Sequence, residues 1–269
     1  MVVSGNIAAD AGKQLRVAAV DDPAAFARTA LIEALGRTDV SVSASPTGPN
    51  PSSKLPKKGS YKPDDRVAAY VSPPFSQYAK LILKVSHNYG ANLNVCLMAV
   101  KAGSTDCNDA FPVMQKFFEK AGVDVDQVAL ADGRGGNPTD RFTPEAATDM
   151  LSYWLRQPQA KTFREMLPEL GVNGGLAETC KNCSAKGKVF AKPGTVSLPD
   201  YVNGSLADNE SLGGYLETKP GHFHVFYLVV NGASAENIDE VLKVFNDLSD
   251  ISAILQEDAS NHGGASHSN

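Results

Sequence analysis

Three short segments carry the side chains that could do chemistry, and they follow one another in a telling order. Ser86-His87-Asn88 offers a hydroxyl and a carboxamide, Asp132-Gly133-Arg134-Gly135-Gly136 a carboxylate in a glycine-rich loop, and Lys192-Pro193-Gly194-Thr195 an ammonium beside a hydroxyl. Groups of these types suit acyl transfer, which needs an activated serine, donors for an oxyanion, and a group that returns a proton to the leaving amine. Taken singly, each segment has an ordinary explanation. A Ser-x-Asn triplet arises often by chance and suits a polar helix junction, and Lys-Pro-Gly-Thr is a common turn sequence.

The elements that must position these groups can be read from spacing and punctuation. Asp21-Asp22-Pro23 opens a helix whose apolar positions Phe26, Ala30, Leu31, Ala34 and Leu35 recur at helical spacing up to Gly36. Val40 to Ser43 alternates like a short strand, residues 45–64 are dense in Pro, Ser, Gly and Lys and read as a loop or linker, and Arg66 to Val71 reads as another brief strand. Ser72-Pro73-Pro74 starts a long apolar-periodic run through Val100, which Ser86-His87-Asn88 and Gly90 interrupt, so two helices meeting at the motif are expected. A helix over 110–121 and a strand over 127–131 lead into the glycine-rich loop. Two more helices follow, from Thr143-Pro144-Glu145 to about Arg156 and from Lys161 to about Leu167. Then come candidate strands at 188–191, 202–206, 213–217 and 222–230, a closing helix over 235–255, and a polar tail, 258–269, expected to be disordered. Late strands preceded by a helical cluster and closed by a helix argue for an α+β fold with an antiparallel sheet.

Composition narrows the function classes. The 269 residues are 42% hydrophobic, enough for a sizeable core, and 25 Lys and Arg against 30 Asp and Glu leave no basic footprint for nucleic acid. No stretch approaches the roughly 20 apolar residues that span a bilayer, and the start, Met1-Val2-Val3-Ser4-Gly5-Asn6, shows no signal peptide, so at face value the chain is not exported. Four cysteines, Cys96, Cys107, Cys180 and Cys183, permit two bridges. For Cys180 and Cys183, inert thiols, a tight disulfide and a zinc site all remain open, with inert thiols favoured. His222 and His224 share a strand face without a carboxylate partner nearby in sequence, so no metal or other cofactor is expected.

Joint order and flanking sequence carry more than any one triplet. Lys84-Val85-Ser86-His87-Asn88, the Asp132 loop with Arg141-Phe142-Thr143-Pro144 after it, Leu167-Pro168, Gly171 to Leu176, and Gly187-Lys188-Val189-Phe190-Ala191-Lys192-Pro193-Gly194-Thr195 together resemble the serine D-alanyl-D-alanine carboxypeptidases/endopeptidases of peptidase family S13, which are penicillin-binding proteins. The resemblance implies a transpeptidase or β-lactamase-like fold, in which a helical subdomain and an antiparallel sheet flank a cleft, over 1–257. It also implies the cell envelope or periplasm as location and peptidoglycan stem peptides as substrate. It assigns Ser86 to proton relay, Asn88 to holding the substrate's peptide carbonyl, Lys192 to placing positive charge near the substrate carboxylate, and the Thr195 N–H to half of the oxyanion hole. Gly194, Asp132 and Gly133 fall at substrate-binding positions.

Three departures matter. The family's nucleophile sits in Ser-x-x-Lys, and no serine in this sequence has a lysine three positions on. The expectation is a C-terminal portion of such an enzyme, with a sheet incomplete at its N-terminal side, binding β-lactams covalently only where a nucleophile is supplied. Pro193 stands where the family has threonine, removing a hydroxyl and a backbone donor, and Arg134 and Gly136 replace Ser and Leu. Pro193 favours the alternative, a cell-wall or protein-binding remnant without catalysis. A small Cys-x-x-Cys redox protein would be a third possibility.

Overall fold

The computed structural model describes residues 4–12, 20–57 and 59–262. The chain divides into two units, 1–70 and 71–269.

In the first unit the helix forms where capping chemistry predicts. Asp22 accepts the Ala25 N–H at 2.9 Å, Pro23 occupies the first turn, and α1 spans Pro23–Gly36. Arg28 fastens the following loop by donating to the carbonyls of Ser45 and Pro49. Among the described residues of this unit, the rest is irregular apart from single 3-10 turns at Ser52–Lys54 and Pro63–Asp65. The alternating segments 40–43 and 66–71 form no strand, because neither finds a partner to complete a ladder.

The second unit begins with α2 (Phe75–Val85), α3 (Asn88–Lys101) and α4 (Phe111–Ala121). The helix pair expected around the Ser-x-Asn triplet is therefore present, broken at Ser86 and His87. Strands β1 (Val128–Ala129) and β2 (Arg141–Phe142) form a two-residue antiparallel ladder that closes the base of the glycine-rich loop. Thr143 then caps α5 (Pro144–Leu155) by accepting the Ala146 N–H, and α6 (Ala160–Met166) follows.

Three long strands replace the four short ones expected: β3 (Val189–Pro199), β4 (Leu206–Lys219) and β5 (His222–Ala235), antiparallel in the order β3-β4-β5. Residues 202–205, taken as part of a strand from sequence, belong to the turn between β3 and β4. The closing helix α7 (Ile238–His262) runs past its expected end, so 258–262 are helical; 263–269 lie outside the described residues.

The alternation of β-strand side chains sorts the core into two layers. Leu212 and Leu216, with Val189 and Ala191, pack against Leu248 and Ala253 of α7. Tyr215 turns the other way onto Leu151 and Leu167 and donates its hydroxyl to the Leu151 carbonyl at 2.9 Å. The sheet is thus held between α7 and the helical cluster, the α+β arrangement expected.

Both cysteine pairs are bridged, Cys96–Cys107 and Cys180–Cys183. Inert thiols at Cys180 and Cys183, the favoured reading, are thereby corrected. Cys180 adopts a left-handed backbone (φ 51), and that turn brings the two Cα atoms to 5.3 Å, inside the range a disulfide spans.

Candidate active site

Ser86 ends α2 in a left-handed conformation, φ 53 and ψ 51, which a non-glycine residue adopts at a cost of about 1 kcal/mol or more. Its N–H still caps the Ile82 carbonyl, and His87 caps α3 by accepting the Gly90 N–H at 3.1 Å. The two caps fix the corner, leaving Ser86 and Asn88 at the surface. From behind, Lys84 ties the end of α2 to the loop after α6, donating to the Leu167 carbonyl and to Asn173 Oδ1. Burial lowers the Lys84 pKa, and the nearby Glu169 carboxylate opposes that shift.

The second motif lies within the edge strand β3. Lys192 pairs in register with Gly213, Pro193 with Leu212, Gly194 with Ser211 and Thr195 with Glu210. Ala191 directs its N–H away from β4, to the Pro168 carbonyl at 3.0 Å. The two-residue period then puts the backbone nitrogens of Pro193 and Thr195 on the same outward side. This parity explains why proline is tolerated: it removes a donor from the open edge, not from the ladder to β4. It also leaves the Thr195 N–H aimed out of the sheet, away from the ladder to β4. Gly194 has no room for a side chain, since a Cβ there would lie 2.7 Å from Ser211 Oγ.

The motifs meet through their side chains. Lys192 Nζ donates to Ser86 Oγ at 2.8 Å across 106 residues of sequence, and also to the Pro193 carbonyl. Desolvation by burial lowers the Lys192 pKa from 10.5 to about 8. With its oxygen accepting from the ammonium, Ser86 keeps its own proton available to a leaving group. A lysine titrating that close to neutrality can exchange protons with little cost.

The glycine-rich loop is positioned by α3. Asn92, one turn after Asn88, accepts the Gly133 N–H at 2.9 Å, and a Cβ on Gly133 would lie 2.5 Å from the Ala91 carbonyl oxygen. Asp132 uses its carboxylate to organise the loop, taking the N–H groups of Arg134 and Gly135 on Oδ1 and the Arg134 guanidinium on Oδ2. Burial alone would raise the Asp132 pKa, but the Arg134 guanidinium and these amides outweigh it and lower it. The structure thus brings Ser86, Lys192 and β3 together, while the hydrogen bonds of the 132–136 loop run to α3, to Asp140 and within itself. An open pocket of about 500 Å³ lies beyond Lys84, among Lys80, Glu165, Glu169 and Phe190, and includes none of Ser86, Lys192 or Thr195.

Two residues beside the motif escaped sequence reasoning. Thr195 Oγ1 donates to Glu210 Oε2 at 2.8 Å, and Ser197 Oγ to Asp208 Oδ1 at 2.6 Å. Glu210 is 1% exposed and Asp208 0%, and each keeps a second carboxylate oxygen without a partner. Burial, with Asp208 adding to it and the Thr195 hydroxyl opposing, raises the Glu210 pKa to about 7. The one available signal was their i, i+2 spacing opposite Thr195 and Ser197, which means nothing until the strand register is known.

Comparisons with known proteins bear on the family and the fold. The chain is 27% identical over 246 residues to a D-alanyl-D-alanine carboxypeptidase of Actinomadura sp. (strain R39), an alignment that takes in 89% of this chain and 45% of the relative. It therefore spans less than half of that relative's length. The crystal structure of penicillin-binding protein 4 (dacB) from Haemophilus influenzae superposes on 70% of the chain, and 40% of its own, with a TM-score of 0.55 at 19% identity. The same protein complexed with a β-lactam gives 0.51 over 65% of this chain and 42% of its own, again at 19% identity, and both likenesses speak to the fold. A sequence profile described as the D-Ala-D-Ala carboxypeptidase 3 (S13) family matches residues 1–249, and the chain belongs to that family.

Proposed function

We propose that this chain forms part of a serine-type D-Ala-D-Ala carboxypeptidase/endopeptidase acting on peptidoglycan stem peptides, with the acylated serine contributed by residues outside these 269. The observation that carries the reading is the Lys192–Ser86 contact at 2.8 Å, which joins two family motifs from separate elements. In this role Lys192 holds positive charge by the substrate carboxylate and keeps Ser86 oriented. Ser86 passes a proton to the leaving amine, Asn88 holds a peptide carbonyl, and the outward Thr195 N–H receives the oxyanion. Gly194 lets the substrate backbone approach β3, and Asp132 and Gly133 shape the cleft wall beside α3. The two disulfides fit an oxidising compartment such as the cell envelope.

Pro193 favours a second reading, a binding remnant that keeps the cleft without catalysis. Both readings predict that the chain alone is not acylated. Intact-mass spectrometry after incubation with benzylpenicillin should return the unmodified mass from protein that is folded by circular dichroism. A stoichiometric covalent adduct would place a nucleophile within these residues and remove the claim that it comes from outside. The readings separate when a segment bearing Ser-x-x-Lys is supplied: restored acylation supports the enzyme part, and its failure with both pieces folded and bound supports the remnant.

A further inference from the structure

The turn Cys180-Lys181-Asn182-Cys183 takes no part in the cleft chemistry, yet it leads directly into the strand that carries Lys192. Within it the Cys183 N–H donates to the Cys180 carbonyl at 3.3 Å, and the Cys183 carbonyl accepts the Lys186 N–H at 3.2 Å. From there the Lys188 N–H donates to the Ala185 carbonyl, Gly187 to Leu170, and Leu170 to Val189, the first residue of β3. Both cysteines are partly buried and pack against the core layer that includes Val189 and Ala191. The bridge and these hydrogen bonds form a collar at the start of β3.

Three observations set this bridge apart from Cys96–Cys107. Cys180 holds a left-handed backbone, φ 51, whereas Cys96 and Cys107 lie on α3 and a 3-10 turn without positive φ. A residue with a Cβ holds that conformation at a cost worth a factor of about five or more in an equilibrium, and opening the bridge lets Cys180 leave it. Access and charge favour attack as well. Lys181, Asn182 and Ser184 are exposed around the pair. Within 178–188 three lysines stand against Glu178, even with Glu257 hydrogen-bonded to Ser184. Positive charge beside a sulfur stabilises a departing thiolate. Last, the sequence separation is 3 against 11, so this bridge restricts the unfolded chain less and its loss costs the fold less.

We propose that Cys180–Cys183 is a thiol–disulfide exchange site, which a protein dithiol opens while the chain stays folded and Cys96–Cys107 stays closed, releasing the collar at the start of β3. One thiolate of the dithiol attacks a sulfur of the pair and forms a mixed disulfide as the Cys180–Cys183 bond breaks. The other sulfur leaves as a thiolate and takes up a proton. The second thiol of the dithiol then loses its proton and attacks the mixed disulfide, freeing the remaining cysteine of the chain. Two electrons and two protons pass to the chain, and the dithiol becomes a disulfide. The site stands apart from the stem-peptide reading, since it invokes no substrate of the cleft.

The test is stepwise reduction of the folded wild-type chain, by dithiothreitol and separately by reduced thioredoxin as the protein dithiol, trapped with N-ethylmaleimide and read by peptide mass. Cys180 and Cys183 should take the label at a ratio of reduced to oxidised dithiothreitol about fivefold or more below that needed for Cys96 and Cys107, with circular dichroism unchanged. Thioredoxin should give the same pair of labels. Hydrogen exchange should then quicken at the amides of Cys183, Lys186, Gly187 and Lys188 and stay as it was along α3. Labelling of Cys96 and Cys107 first, of all four cysteines together, or only once circular dichroism shows unfolding would overturn the proposal. A pair that dithiothreitol opens and thioredoxin does not would remove the protein dithiol as its reductant. Exchange unchanged at those amides in the labelled chain would remove the release of the collar.

Discussion

Lys192 is the residue on which the site turns, because burial sets its charge as well as its contact with Ser86. Its pKa, brought down to about 8, means that the folded protein binds fewer protons than the unfolded chain between about 8 and 10.5. The sign follows: the buried ammonium is a cost below pH 8, on the order of 2–3 kcal/mol, that disappears as pH rises through this window. Lys192→Met should therefore raise stability near neutral pH while abolishing peptide binding, which urea melts and calorimetry on the same sample will show. Glu210 runs the other way. Its pKa is raised from 4.5 to about 7, so the folded state binds the extra proton between those values and wild-type stability falls as pH climbs through them. Glu210→Gln should be more stable than wild type above pH 7, by on the order of 2–3 kcal/mol, with the difference gone below pH 4. Urea midpoints that keep the same gap at both ends of the range would refute it. At this scale the sequence revealed the motif residues by their order and type. It concealed Glu210 and Asp208, whose meaning depends on pairing across a strand register that no local pattern encodes.

At the scale of elements, the corner between α2 and α3 is built by caps and by one strut. Lys84 joins the last turn of α2 to Leu167 and Asn173, two residues before the strained Ser86. Lys84→Met should cost about 1–3 kcal/mol and slacken the corner, since it leaves the Leu167 carbonyl and Asn173 amide without their charged donor. A variant that melts like wild type would show the strut to be idle. The Cys96–Cys107 bridge closes a sequence separation of 11 between α3 and the turn before α4. Its removal by paired alanine substitution should lower stability by about 2–3 kcal/mol, read from denaturant midpoints. Helices were legible because Asp22, Thr143 and the proline-initiated turns announce them locally. The strands were not. Val40 to Ser43 and Arg66 to Val71 alternate correctly yet lack partners, while β3 passes straight through Pro193 and Gly194, residues that read as a turn. Only the outward parity of Pro193 makes that continuation possible.

At the scale of the whole molecule, the family was legible because five separated segments fall in one order, which chance spacing does not produce. The three-stranded sheet has β3 and β5 at its edges, and among the described residues β5 has β4 as its single strand neighbour. Amides on the outer side of β5 should exchange with solvent much faster than those facing β4, because an open edge leaves alternate N–H groups without a ladder partner. Uniform protection across β5 in hydrogen exchange would mean that something covers the edge, such as a second copy of the chain.

The central claim is that Ser86, Lys192 and Thr195, drawn from two elements, form one cleft for a D-alanyl-D-alanine peptide. The most direct check is a titration of the isotopically labelled chain with an N-acyl-D-Ala-D-Ala peptide, following backbone amide resonances. Saturable shifts concentrated at Ser86, Asn88, Gly194 and Thr195, and lost in Lys192→Met, are the predicted result. Shifts that cluster elsewhere, or that survive intact in Lys192→Met, would contradict the account.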